Sequence, residues 1–223
     1  MVKPPTTRPA KSSRAKQPAR FARAKPSASA MLPAPLDLER ICKGLATLHA
    51  ILSPDWESRY YSFNARWNAT TGERMASMRN GSGDDWFIVF GEPGVFVKSF
   101  WHEHHPRYER AVIYDGLPAG LTPQLTEAAF ELDHLTFGGW HDHTAWTLRG
   151  NATPLGDELA ILGGDPRAYR AHAAGYFEVD VPLAAIAHVL AGKRLDAALI
   201  ARISEDRTLA ELASDLAEIG YGA

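Results

Sequence analysis

Between Arg59 and Trp101 the chain breaks into four short runs of strand-like residues, each separated from the next by a turn signal. Tyr61, Phe63, Ala65 and Trp67 alternate with Tyr60, Ser62, Asn64 and Arg66, which is the period of a half-buried strand. Thr70-Thr71-Gly72 reads as a turn into a second strand over Glu73 to Met78, and Asn80-Gly81-Ser82-Gly83 as the turn out of it. Trp86 to Phe90 is continuously apolar and short enough for a central strand. Glu92-Pro93-Gly94 predicts a type II turn centred on Pro93 and Gly94. In the strand that follows, Val95, Val97 and Ser99 share one face, and Phe96, Lys98 and Phe100 the other. Four consecutive strands joined by short turns make an antiparallel meander.

Helices flank this sheet. Leu38, Ile41, Cys42, Leu45, Leu48 and Leu52 recur at spacings of three and four, one face of an amphipathic helix. Asp37 reads as its N-cap, with Leu36 stapled onto Ile41. Thr122-Pro123 predicts a short helix to Leu132, and two strands are expected over 135–140 and 145–148. Gly138-Gly139 within the first of them marks a bulge or a close backbone approach. Helices follow over 155–162 and from Asp165-Pro166 to Gly175, then a last alternating strand over Tyr176 to Val181. From Pro182 onward the chain reads as helix, ending in Thr208 to Ile219 with a Thr208/Glu211 capping box and a Gly220 stop. The fold class is therefore α+β: an N-terminal helix, an antiparallel meander and a helical C-terminal part. We divide it into a tail over 1–36, a core over 37–181 and a helical segment over 182–223 that packs on the core.

Charge is divided along the chain. Residues 1–36 hold eight Lys and Arg, no acid and seven of the fifteen prolines. They have too few large apolar side chains to offset chain entropy, so the tail is expected to be disordered. It is read as a solvated extension or as sequence upstream of a start at Met31. A nucleic-acid tether and a transit peptide are the other readings its charge allows. The remaining residues carry a net −10. No apolar stretch reaches bilayer length, so no membrane role is expected. The single cysteine, Cys42, excludes an intramolecular disulfide and is compatible with a cytoplasmic location. On the apolar face of the first helix it reads as a buried small hydrophobe.

The densest group of chemically capable side chains is His102-Glu103-His104-His105, at the end of the fourth strand. His102 and His104 share a face if extended, and so do His141 and His143. Brought together, the two pairs would offer imidazoles to zinc, with Glu103 or Asp142 as the catalytic candidate that orients a ligand or takes a proton. The competing reading is a solvated rim of the sheet. Asn80 to Asp85 reads as a hairpin turn rather than a phosphate loop, because it leads into a strand and carries two carboxylates. The aromatic run Trp56, Tyr60, Tyr61, Phe63 and Trp67 reads as sheet core.

RYYSFNARW, MASMRNGSGDDWFIVF, GVFVKSF and the terminal LAEIGY together resemble a family of bacterial proteins of no established activity, over roughly residues 38 to 222. The resemblance implies an immunity-like or accessory protein. It also places a His-Glu pair after the GVFVKSF strand, matching His102-Glu103 but not His104-His105. A non-enzymatic module that meets a basic protein partner, with no cofactor, is the leading expectation. A zinc-dependent hydrolase and a nucleic-acid adaptor acting through the tail are the alternatives.

Overall fold

A computed structural model describes residues 32–222; the tail readings and the Met31 start lie outside them. Helix α1 spans Pro35–Leu52. Four strands follow, β1 (Tyr61–Asn68), β2 (Glu73–Arg79), β3 (Asp85–Gly91) and β4 (Gly94–Phe100). Beyond them come a short helix α2 (Arg110–Ile113) and strands β5 (Phe137–His141) and β6 (Trp146–Gly150). The chain closes with α3 (Gly156–Leu162), α4 (Pro166–Tyr176), α5 (Leu183–Leu190), α6 (Ala197–Ile203) and α7 (Ala213–Ile219). All six strands form one antiparallel sheet in sequence order, so the fold is α+β.

Both faces of this sheet are covered. On one face Phe63, Met78, Trp86, Ile88, Phe90, Val95 and Val97 join a core built with α1 and the C-terminal helices. On the other, Met75, Phe87, Val89, Phe96 and Trp140 pack under Ile113, Tyr114, Leu121, Phe130 and Leu135. Double coverage explains the unbroken Trp86–Phe90 run: successive side chains point to opposite faces, and both faces are dry.

The second cover is where sequence periodicity misleads. The helix expected from Thr122-Pro123 to Leu132 is replaced by 3-10 turns over Ala119–Thr126 and Ala128–Phe130. Glu127 caps the second turn by accepting from the Ala129 amide, and Glu131 then turns left-handed at φ 44°. This irregular path lays Leu121, Phe130, Leu132 and Leu135 onto a flat sheet face, where a regular helix would present only a stripe.

Other expectations also shift. The α1 N-cap is Ala34, not Asp37, and Leu36 is 83% exposed, so no staple forms on Ile41. Leu32 is buried and the Pro33 carbonyl accepts from the Trp146 indole at 3.0 Å, so residues 32–36 belong to the body rather than to the tail. The β3–β4 hairpin pairs Gly91 with Gly94, which puts Glu92 and Pro93 at its centre. No strand forms over Tyr176 to Val181; β1 and β6 are the sheet edges. That alternation reflects Phe177, Val179 and Val181 packing inward without a ladder partner. The Thr208/Glu211 box does form, the Thr208 amide donating to the Glu211 carboxylate at 2.8 Å. Regular helix begins only at Ala213 and stops at left-handed Gly220.

Gly138-Gly139 is a close approach. A Cβ on Gly139 would lie 2.0 Å from the Thr147 carbonyl oxygen, and one on Gly138 2.9 Å from that of Val97. Backbone atoms cannot swing aside as a side-chain end can, so substitution must part the β5 pairing. Gly139→Ala is expected to cost about 2–4 kcal/mol, read as a lower midpoint in urea denaturation monitored by circular dichroism.

Candidate functional site

The β4–β5 register decides the fate of the histidines. His141 pairs with Val95 at the start of β4, whereas His102 lies just past Phe100 at its end. Seven residues at ~3.3 Å each put the two segments roughly 20 Å apart. A metal binds its ligands at ~2 Å, so the shared zinc site does not form. Among the described residues, no group of three or more His, Cys, Asp or Glu is gathered to hold a metal ion.

Each segment has a local task instead. In the β5–β6 turn Asp142 accepts from the amides of Thr144 and Ala145 at 3.0 and 3.1 Å. These bonds hold its carboxyl below the usual range. The His143 amide donates to His141 Nδ1 at 3.0 Å, and its ring Nε2 lies 2.8 Å from the Glu92 carbonyl. Glu103 and His104 are exposed, and the Glu103 carboxylate lies 3.7 Å from His102 Nε2.

His102 is the sequence candidate that meets a carboxylate of another element. Asp84, in the β2–β3 turn, accepts from both the His102 amide (2.8 Å) and its ring Nδ1 (2.9 Å), and the Asn80 amide group adds a third bond at 2.7 Å. Burial pushes the Asp84 carboxyl up, but these bonds outweigh it and hold it low. Gly83, at φ 102°, takes a backbone conformation that a side chain would strain, beside the His102 ring. Beside it Asp85 pairs with Lys98, whose side chain is fully buried between Phe87 and Phe100. Burial pushes Lys98 down and Asp85 up, and each partner's charge opposes the shift of the other. Asp84, Asp85 and His102, with Arg79, Ser82, Phe100 and Glu131, line an open groove of about 460 Å³. Its carboxylates already have internal partners, so the groove reads first as a brace joining the β2–β3 turn to the end of β4.

A second surface was hidden from sequence reasoning. Trp56, expected in the core, is 54% exposed on a single 3-10 turn, Trp56–Ser58. Of the same aromatic run, Tyr61 and Phe63 are buried, as expected. The turn is fastened from every side. Asp55 caps it through the Glu57 amide at 3.1 Å, and the Tyr176 hydroxyl donates to the Ser58 carbonyl at 3.0 Å. Arg59 donates to the Ser53 carbonyl (2.9 Å) and forks onto Asp215 of α7 at 2.7 and 3.2 Å. Trp56, Asp215 and Glu218 line one cleft, with Asp55 and Glu57 flanking the ring in sequence. Arg59 and Arg207 both turn inward to Asp215. The outward charge around Trp56 is therefore acidic.

Cys42 is buried and burial pushes its thiol up, consistent with an inert core residue. No known protein family, characterised protein or solved structure matches the chain.

The Asp85–Lys98 pair has a measurable consequence. Removing the carboxylate strands a buried ammonium, so Asp85→Ala is expected to destabilise by about 3–5 kcal/mol, whereas Asp85→Leu with Lys98→Met together cost much less. Chemical denaturation of the three proteins checks it.

Proposed function

We propose that the protein is a non-enzymatic interaction module that recognises a basic segment of a partner protein through the Trp56 face. One observation carries the reading: an exposed tryptophan on a turn fixed by bonds to the residue that ends α1, to α4 and to α7, bordered by Asp55, Glu57, Asp215 and Glu218. Exposed Trp is a strong contact residue because it buries a large apolar area at low entropic cost. Guanidinium and ammonium groups stack on indole, and surrounding carboxylates steer them there. A surface already rigid when free loses little freedom on binding.

The net −10 of residues 37–223 supports the same partner charge. A role of the immunity or accessory kind implied by the resemblance fits a bacterial protein of this chemistry. The single cysteine, present as a buried thiol, is compatible with the reducing cytoplasm. Among the described residues, no helix is long and apolar enough to cross a membrane.

The test is fluorescence anisotropy with a labelled octa-arginine peptide. Binding should weaken with salt. Trp56→Ala should reduce affinity by about tenfold, a loss of the size a contact tryptophan gives. Glu131→Lys, on the opposite sheet face, should leave it nearly unchanged. Equal affinities for wild type and Trp56→Ala would show that the peptide reads bulk charge, and would end the proposal.

A further inference from the structure

Where the Trp56 turn passes into β1 lies a pair of imidazoles, one buried and one half-buried. His49 of α1 and His172 of α4 have ring centroids 5.3 Å apart. His49 is wholly enclosed. Its Nδ1 accepts from the Tyr60 amide at 3.2 Å, at the point where the turn passes into β1. The neutral ring therefore carries its proton on Nε2, which is buried without a partner. His172 Nε2 is also buried without a partner. The His172 ring stacks on Tyr176 at 5.9 Å, and Tyr176 is the residue whose hydroxyl holds the Ser58 carbonyl. Two links thus run from the pair to the turn, one through the Tyr60 amide and one through Tyr176.

Among the described residues, nothing packed against the pair offers a counter-charge. From the turn, Arg59 is cationic and forked onto Asp215. Tyr60 comes from just ahead of β1 and Tyr61 from its first position, and α4 brings Tyr169 and Tyr176. Burial pushes Tyr61 and Tyr169 well above the ordinary phenol range, so both stay neutral. The carboxylate on the α3 side, Glu158, accepts from the Tyr61 hydroxyl at 2.7 Å and the Trp86 indole at 3.2 Å. Asp84, beyond Tyr60, is held by His102. Two protonated imidazoles this close, with no carboxylate bonded to either, cannot stay where they are.

We propose that the His49–His172 pair is an acid-sensitive latch beside the Trp56 turn. With both rings neutral the turn is held; proton uptake moves the less enclosed His172 ring out to water, breaks its stack on Tyr176 and frees the turn. The latch concerns the same surface as the proposed function and rests on that reading for its biological meaning. The sign follows from the folded state. Burial pushes His172 down to about 4, and burial with His172 and Arg59 pushes His49 well below 6.5. A group whose folded value lies below its free value of 6.5 favours the closed form fully above 6.5. It loses that contribution as pH falls from there toward about 4.

Hydrogen–deuterium exchange of the full chain, corrected for intrinsic pH dependence and measured without any partner, tests the latch. From pH 7 to about 4.5, amides of residues 56–60 should gain opening by at least about tenfold, while the β3 amides keep their protection. His172→Phe keeps an aromatic ring on Tyr176 but takes no proton, so only the smaller part of the gain that His49 supplies should remain. No gain in the wild type, or an equal gain in His172→Phe, would overturn the latch. Should that variant not fold, the ring carbon shifts of His172 in the wild type decide. A midpoint near 6.5 contradicts the latch, and a depressed midpoint that coincides with turn opening supports it. Because exchange is read without a ligand, the latch stands or falls separately from octa-arginine binding at neutral pH.

Discussion

Strands β3 and β4 are dry on both sides, and this is the constraint on which the rest of the molecule depends. Trp86, Ile88 and Phe90 face the helices, while Phe87 and Val89 face the irregular cover, so every residue of the run has a buried side chain. A sheet in that position cannot leave a polar group unpaired. Lys98 falls on the covered face by strict alternation, and Asp85, on the paired strand, is there to meet it. The same constraint removes side chains at Gly138 and Gly139, where Tyr114 and the neighbouring backbones come within reach of a Cβ.

How much of this could be read from the chain depends on whether the signal was local. The meander was legible because alternation and turn residues act over a few positions, and its four strands form within a residue or two of where they were expected. The covering segment was not legible, since 3-10 turns carry no long period and their residues are chosen by the sheet they cover. Residues 176–181 misled for a related reason: alternation reports which side is buried, and a strand also needs a neighbour to pair with.

At the site level, His102 stood out in the sequence only as a candidate metal ligand, and what it meets is Asp84, from a turn read as a plain hairpin. The pairing of His102 with His141 depended on register, which no single segment encodes. Trp56 was misplaced because its neighbours Tyr61 and Phe63 are core. What keeps it out is Asp55, which caps the turn, and Arg59, which answers an aspartate 156 positions along the chain.

The Trp56 face and the imidazoles beside it form one structural unit: the residue that ends α1, Tyr176 of α4 and Asp215 of α7 each hold the turn by a polar bond. Its acidic border results from the arginines turning inward while Glu57 and Glu218 stay exposed. The most direct measurement is a two-dimensional amide and indole NMR titration of the isotope-labelled protein with the basic peptide. The account predicts that the Trp56 indole and the amides of Asp55, Glu57, Asp215 and Glu218 shift first and saturate together. Shifts spread evenly over exposed acids, or centred on Asp84 and Glu131, would contradict it.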